Sequence, residues 1–225
     1  PLPLKEQPDI WVQITIPNEF QPVGKYNIGV TAVTEGDICK KEWVESVNKM
    51  NLIIVPSQFT KSLFDKTQYQ EQNKQTKEII KTFKVEKPVE SLFEGVNTKT
   101  YGNIQPSDID VLDGIESDFN FLFVGHWLGG DLGQDRKDVG MMIKTFCTVF
   151  KDLPKKQQPG LILKTSQAGF SVMEREGISK KIKEVTNQFG EKCPPIHLVF
   201  GDLSESELND LYNDEKVKSF LMFTK

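Results

Sequence analysis

The chain alternates short β-branched runs with stretches of helical period, and it does so in two series. FNFLFVG (119–125), GLILKTS (160–166), IHLVFG (196–201) and VKSFLMF (217–223) are apolar over most of their length. Such runs suit strands buried on both faces of a parallel sheet. Helical patterns over about 138–151, 172–188 and 205–212 separate them. A strand followed by a helix cannot return as a hairpin, so its successor lies parallel, joined by a right-handed crossover. An earlier series, IWVQITI (10–16), YNIGVTAVT (26–34) and NLIIVPS (51–57), repeats the arrangement. The run over 217–223 reads as a buried strand whose carboxyl end, where open α/β sheets bind ligands, would deliver a loop beyond the chain's last residue.

Local signals sharpen this outline. Ile38, Trp43, Val47 and Met50 approximate one helical face, with Asp37 as the N-cap. Ser57 caps a second helix whose Phe59, Leu63 and Phe64 are expected to face inward, and the polar run QYQEQNKQTKE (68–78) reads as a loop or a solvated helix face. Ser171 with Glu174 and Ser204 with Glu207 have capping-box spacing. Residues 84–118 hold Pro88, Gly95, Gly102, Pro106 and Gly114, a composition of turns, so the boundary is placed there: one domain over 1–105 and a second over 106–225.

Composition excludes several classes. The chain is 37% hydrophobic and 27% charged with a net charge of -4, which fits a soluble globular protein and leaves no basic surface for nucleic-acid phosphates. Cys39, Cys147 and Cys193 are odd in number and widely spaced, which is neither a disulfide framework nor a zinc cluster and points to a reducing, cytoplasmic setting. No apolar run approaches the roughly 20 residues that span a bilayer. The opening PLPLKEQPDIW lacks the features of a signal peptide and an initiating Met, so the chain is expected to be an internal piece of a longer protein.

The strongest chemical feature is VGHWLGGDLGQDRKDVG (124–140), between a strand and a helix. Gly125, Gly129, Gly130 and Gly133 let backbone approach a ligand, and a helix N-terminus favours an anion. Arg136 and Lys137 add cationic donors, and together these suit a diphosphate. The same residues also describe a surface loop with a solvated basic pair. The spacing matches neither the dinucleotide fingerprint nor the P-loop. Lys164 and Gly201 end the next two strands on the same rim, where a lysine could reach a phosphate and a glycine could admit a base or ribose. His126, in the glycine loop, could donate to an oxyanion, whereas His197 opens an apolar strand and is expected to hold a structural hydrogen bond. Neither has a partner at metal-ligand spacing, and no serine stands in a nucleophile elbow. Glu19 and Glu35, which follow the first two strands, are the candidate catalytic carboxylates.

These residues resemble GT-B glycosyltransferases of the retaining, group-1 type. WVESVNKMNLIIVPSQFTKSLF (43–64) resembles an amino-domain segment of that family, with Asn51 where the family often has Asp. FLFVGHW, the RKD turn in place of RKG or RKN, LILKT and FGDLSESELNDLY follow in the family's order. The resemblance implies an α/β fold of two Rossmann-like parallel-sheet domains facing a cleft, each incomplete here. A nucleotide-sugar donor would be held by the carboxyl domain and an unidentified acceptor by the amino domain.

It further implies retention of configuration without a metal or other cofactor. Lys137 would contact the donor diphosphate, with Arg136 beside it and His126 where the family often has Arg. The acidic E-x7-E element that holds the donor would lie beyond Lys225. Partial sheets would leave edges for self-association, and a peripheral membrane position is open to such enzymes. A sugar-nucleotide epimerase and a non-catalytic nucleotide-binding or subunit-interaction module of the same fold are the alternatives.

Overall fold

Two four-stranded parallel sheets carry the molecule, and each belongs to its own compact unit, Pro1–Gly95 and Val96–Lys225. The computed structural model describes residues 5–32, 36–103, 111–129 and 132–223. Among the described residues, no helix is long and apolar enough to cross a membrane.

In the first unit, β1 (Ile10–Ile14), β2 (Tyr26–Val30), β3 (Leu52–Val55) and β6 (Val89–Ser91) are ordered β1-β2-β3-β6. One face of this sheet is closed by α1 (Lys41–Val47) and α2 (Gln58–Lys66), which bring Val44, Val47, Leu63 and Phe64 against Ile53 and Val55. Burying each such side chain contributes about 1.5–3 kcal/mol. On the edge strand β1, Ile10, Val12 and Ile14 are exposed. The short strand β6 falls inside the stretch read from sequence as turns.

Three local expectations need correction here. Asp37 does not cap α1. The helix starts at Lys41 after Lys40, and Ile38 is 60% exposed rather than on the buried face. The cause is the segment before it: the Cys39 N–H donates to Thr67 Oγ1 (3.1 Å) and the Cys39 carbonyl accepts from Tyr69 Oη (2.6 Å), which holds this stretch extended. Ser57 does cap α2, accepting from the Thr60 N–H, but Phe59 is 60% exposed because the buried set Thr60, Leu63 and Phe64 defines a face that excludes it. The polar run over 68–78 is a loop only in its second half, 73–78. Its first half forms β4 (Gln68–Gln72), paired antiparallel with β5 (Ile79–Lys84). Asn48 clamps the base of this hairpin, donating to the Lys84 carbonyl and accepting from the Glu86 N–H, both at 2.8 Å.

In the second unit, β7 (Asn120–His126), β8 (Gly160–Ser166), β9 (Ile196–Val199) and β10 (Val217–Phe220) are ordered β10-β7-β8-β9. Side chains alternate between two packed faces. Phe123, Leu161 and Leu163 meet α3 (Val139–Phe150) and α4 (Val172–Thr186), through Met142, Ile143, Phe146 and Ile178. Leu122 and Ile162 meet Leu112 and, from α5 (Glu205–Asn213), Leu211. The expected burial of the last strand does not hold: among the described residues β10 is an edge strand paired to β7, and Phe220 is 43% exposed.

Asn120 fastens the amino end of this sheet. Fully buried, it donates to the carbonyls of Ser117 (2.6 Å) and Lys216 (3.2 Å) and accepts from Ser117 Oγ. Opposite it stands Gly160, where an added Cβ would lie 2.0 Å from Asn120 Oδ1. Gly160→Ala should therefore displace the Asn120 amide and destabilise the second unit by about 2–3 kcal/mol, read as a shift in its urea midpoint.

His197 lacks the structural hydrogen bond expected of it: its Nε2 is buried and unpaired. Burial holds its pKa below the ordinary 6.5. As the pH falls through that ordinary value the unfolded chain takes the proton first, so this contribution to stability is complete above 6.5 and declines on acidification. Urea titrations between about pH 5 and 7.5 should show this decline, and His197→Gln should flatten it.

Candidate functional site

Parallel pairing of β7 with β8 sets Val124, Gly125 and His126 beside Lys164, Thr165 and Ser166 at the carboxyl ends of the strands. Those six residues line a pocket of about 190 Å³ with Phe170 and Asp202 among its other walls. His126 Nδ1 lies 3.1 Å from Ser166 Oγ, a hydroxyl that can donate to the ring nitrogen or accept from it. Lys164 Nζ donates to the Gly201 carbonyl and lies 5.4 Å from the centre of the Phe170 ring. An ammonium has three donors, so this contact leaves others for an anion. Burial lowers the Lys164 pKa, and the Asp202 carboxylate partly opposes that shift. Gly201 has φ +130, a conformation that side chains rarely adopt, and an added Cβ there would meet nothing within 4 Å.

The structure thus brings together Gly125, His126 and Lys164, and it joins Gly201 to them through the Lys164 bond. Arg136 is exposed and Lys137 half-buried, and neither lines this pocket. They precede α3, where Asp138 is left-handed at φ 49 and ψ 37. Glycine, asparagine and aspartate tolerate that conformation best. Asp138 makes no side-chain cap. Buried Asp135 accepts instead from the Val139 N–H (3.3 Å), and its carbonyl accepts from the Asp138 N–H (3.0 Å).

Gly130 and Glu35 lie outside the described residues. Glu19 ends a short 3-10 helix in the first unit, where its carboxylate accepts from Thr15 Oγ1 and its carbonyl from Gln13 Nε2 (2.9 Å). Sequence reasoning missed Ser166, Phe170 and Asp202. Only Asp202 had a signal, its position directly after the glycine that ends the third run. Among the described residues, no cluster of three or more His, Cys, Asp or Glu side chains could hold a metal ion.

A larger cavity, about 880 Å³, opens at the opposite end of the sheet, between Phe119 and Phe121 at the start of β7, Pro159 before β8 and His197 in β9. We place the site in the smaller pocket because loops and helix N-termini converge at the carboxyl ends of parallel strands.

No protein-family model matches the chain, and no curated protein matches it. Solved structures do. The apo structure of OtsA matches with a TM-score of 0.55 at 10% identity, over 90% of this chain and 47% of that one. A structure described as trehalose-6-phosphate from E. coli bound with UDP-2-fluoro glucose matches with a TM-score of 0.55 at 11% identity, over 97% and 53%. A further structure of trehalose-6-phosphate synthase, OtsA, matches with a TM-score of 0.53 at 10% identity, over 88% and 46%. The chain spans about half the length of these proteins. With a parallel Rossmann-like sheet in each unit, it has the α/β fold of the GT-B glycosyltransferases.

Proposed function

We propose that the chain is part of a glycosyltransferase that moves a sugar from a nucleotide-sugar donor to an acceptor, and that its second unit binds the donor. The observation that carries this reading is the meeting of Gly125, His126 and Lys164 in one pocket at the carboxyl ends of β7 and β8. A fold neighbour is described as bound with UDP-2-fluoro glucose, which supports a nucleotide sugar as the class of ligand.

In this reading the leaving diphosphate meets cationic and backbone donors. Lys137 and Arg136 sit just before α3, a helix whose first N–H groups favour negative charge. Lys164 supplies a further cation, in the pocket itself. Such fixed donors stabilise charge that develops on the leaving group. His126, which has the Ser166 hydroxyl to accept from or donate to, can supply a hydrogen bond at the same rim. The pocket's 190 Å³ is below the roughly 300 Å³ of a site that encloses a drug-sized ligand, so it takes one portion of the donor.

UDP is the first probe. Calorimetric titration should show binding by the chain. Lys137→Ala should weaken it about tenfold or more, the loss expected for a charge-assisted contact. The reading also carries no metal requirement, so the same titration in EDTA should give an unchanged affinity. Equal binding of UDP by the wild type and Lys137→Ala would overturn the assignment of the diphosphate to this turn.

A further inference from the structure

Ser171 and Glu174 have the spacing of a capping box, yet only half of the box forms. The Glu174 N–H donates to Ser171 Oγ (3.2 Å), as an N-cap requires. The Glu174 carboxylate does not return to the Ser171 N–H. It turns to the loop that follows β8, where one oxygen accepts from the Gln167 N–H and the other from the Gly169 N–H (3.0 Å). Ser204 and Glu207, with the same spacing at α5, form the complete box. Helix capping alone therefore does not explain where the Glu174 carboxylate goes.

The loop that it holds ends in Phe170. That ring lines the pocket, lies under Lys164 Nζ, and meets Phe200 edge-on with centroids 5.9 Å apart. Five residues separate β8 from α4, each with two soft dihedrals, and acceptance of two backbone N–H groups by one carboxylate is a strong way to remove that freedom. Glu174 itself is not among the residues that line the pocket.

We propose that Glu174 is a positioning residue for this pocket: its carboxylate latches residues 167–170 so that Phe170 stands as the wall beside Lys164 and the ligand meets a preformed surface. This rests on the nucleotide-sugar reading of the same pocket. A binding-competent loop that is populated only in part weakens apparent affinity in proportion to that population. Release of the latch to about one-tenth occupancy would therefore weaken UDP about tenfold.

The test is UDP affinity by calorimetry on the whole chain, with thermal unfolding and amide exchange measured beside it. Glu174→Ala should weaken UDP about tenfold and speed exchange at Gln167 and Gly169. Glu174→Gln, which keeps one accepting oxygen and replaces the other with a donating NH2, should fall between it and the wild type. Ser171→Ala is the control: it removes the cap hydroxyl and lowers the melting temperature, but should leave UDP affinity unchanged.

Equal affinity in Glu174→Ala and the wild type would overturn the proposal. So would an equal loss in Ser171→Ala, because the effect would then belong to the helix as a whole. A wild type that binds no UDP would instead overturn the reading of the pocket, and the latch would then fail by itself if exchange at Gln167 and Gly169 were no faster in Glu174→Ala.

Discussion

The parallel pairing of β7 with β8 is the interaction on which the candidate site depends. Asn120 stands opposite Gly160 at one end of this ladder, and His126 stands opposite Ser166 at the other. A shift of one residue in register would turn every side chain to the opposite face. It would remove Leu122 and Ile162 from one core and Phe123, Leu161 and Leu163 from the other. The buried Asn120 amide adds a polar reason for the same register, because its partners lie on the turn before β7 and on the segment that enters β10. Burial on both faces and a satisfied amide at one end thus determine which side chains meet at the other.

That arrangement explains why a small set of polar residues at the carboxyl rim can be held in place without being packed into the core. The strands end at His126 and Ser166, and the chain then leaves the sheet under several fixed bonds. The Trp127 N–H donates to the Ser166 carbonyl (2.8 Å), and Lys181 on α4 donates to the Leu128 carbonyl (3.2 Å) while lying 5.3 Å from the Trp127 ring centre. On the β9 side, the complete box of Ser204 and Glu207 starts α5 just after Asp202, and its hydrogen bonds hold the Glu207 carboxyl below its ordinary pKa. Each loop at the rim is therefore tied to a helix that the core already positions.

Much of this was legible in the residues, and the successes share a cause. GLILKTS gave the bounds of β8, and Gly125, His126, Lys164 and Gly201 stood at strand ends in the sequence before they stood together in space. Buried parallel strands leave an unbroken apolar signal that a reader can see. The hairpin of β4 and β5 left none, because both its faces are largely exposed and its anchors, Tyr69 and Asn48, are single residues whose partners are distant in sequence. β10 failed in the opposite sense. Its composition is that of a core strand, but burial depends on neighbours and not on composition. The carboxylate of Glu174 was misplaced because spacing shows which groups can reach a cap, and not which competing N–H groups are closer.

The αL residue before α3 also bears on the site's chemistry. A helix start whose N-cap is left-handed directs the preceding Arg136 and Lys137 by backbone geometry, independently of any side-chain contact that they make. Asp135 supplies the cap that Asp138 does not, and it is buried in doing so. The basic pair then lies between a buried acid and a helix N-terminus, on a turn whose shape its neighbours set. The pocket at β7 and β8 is formed separately, by strand register and by the loop that carries Phe170. Under the proposed function, a nucleotide sugar is long enough to span more than one such element, and the two groups of hydrogen-bond donors, one at a helix start and one at the strand ends, would each hold part of it.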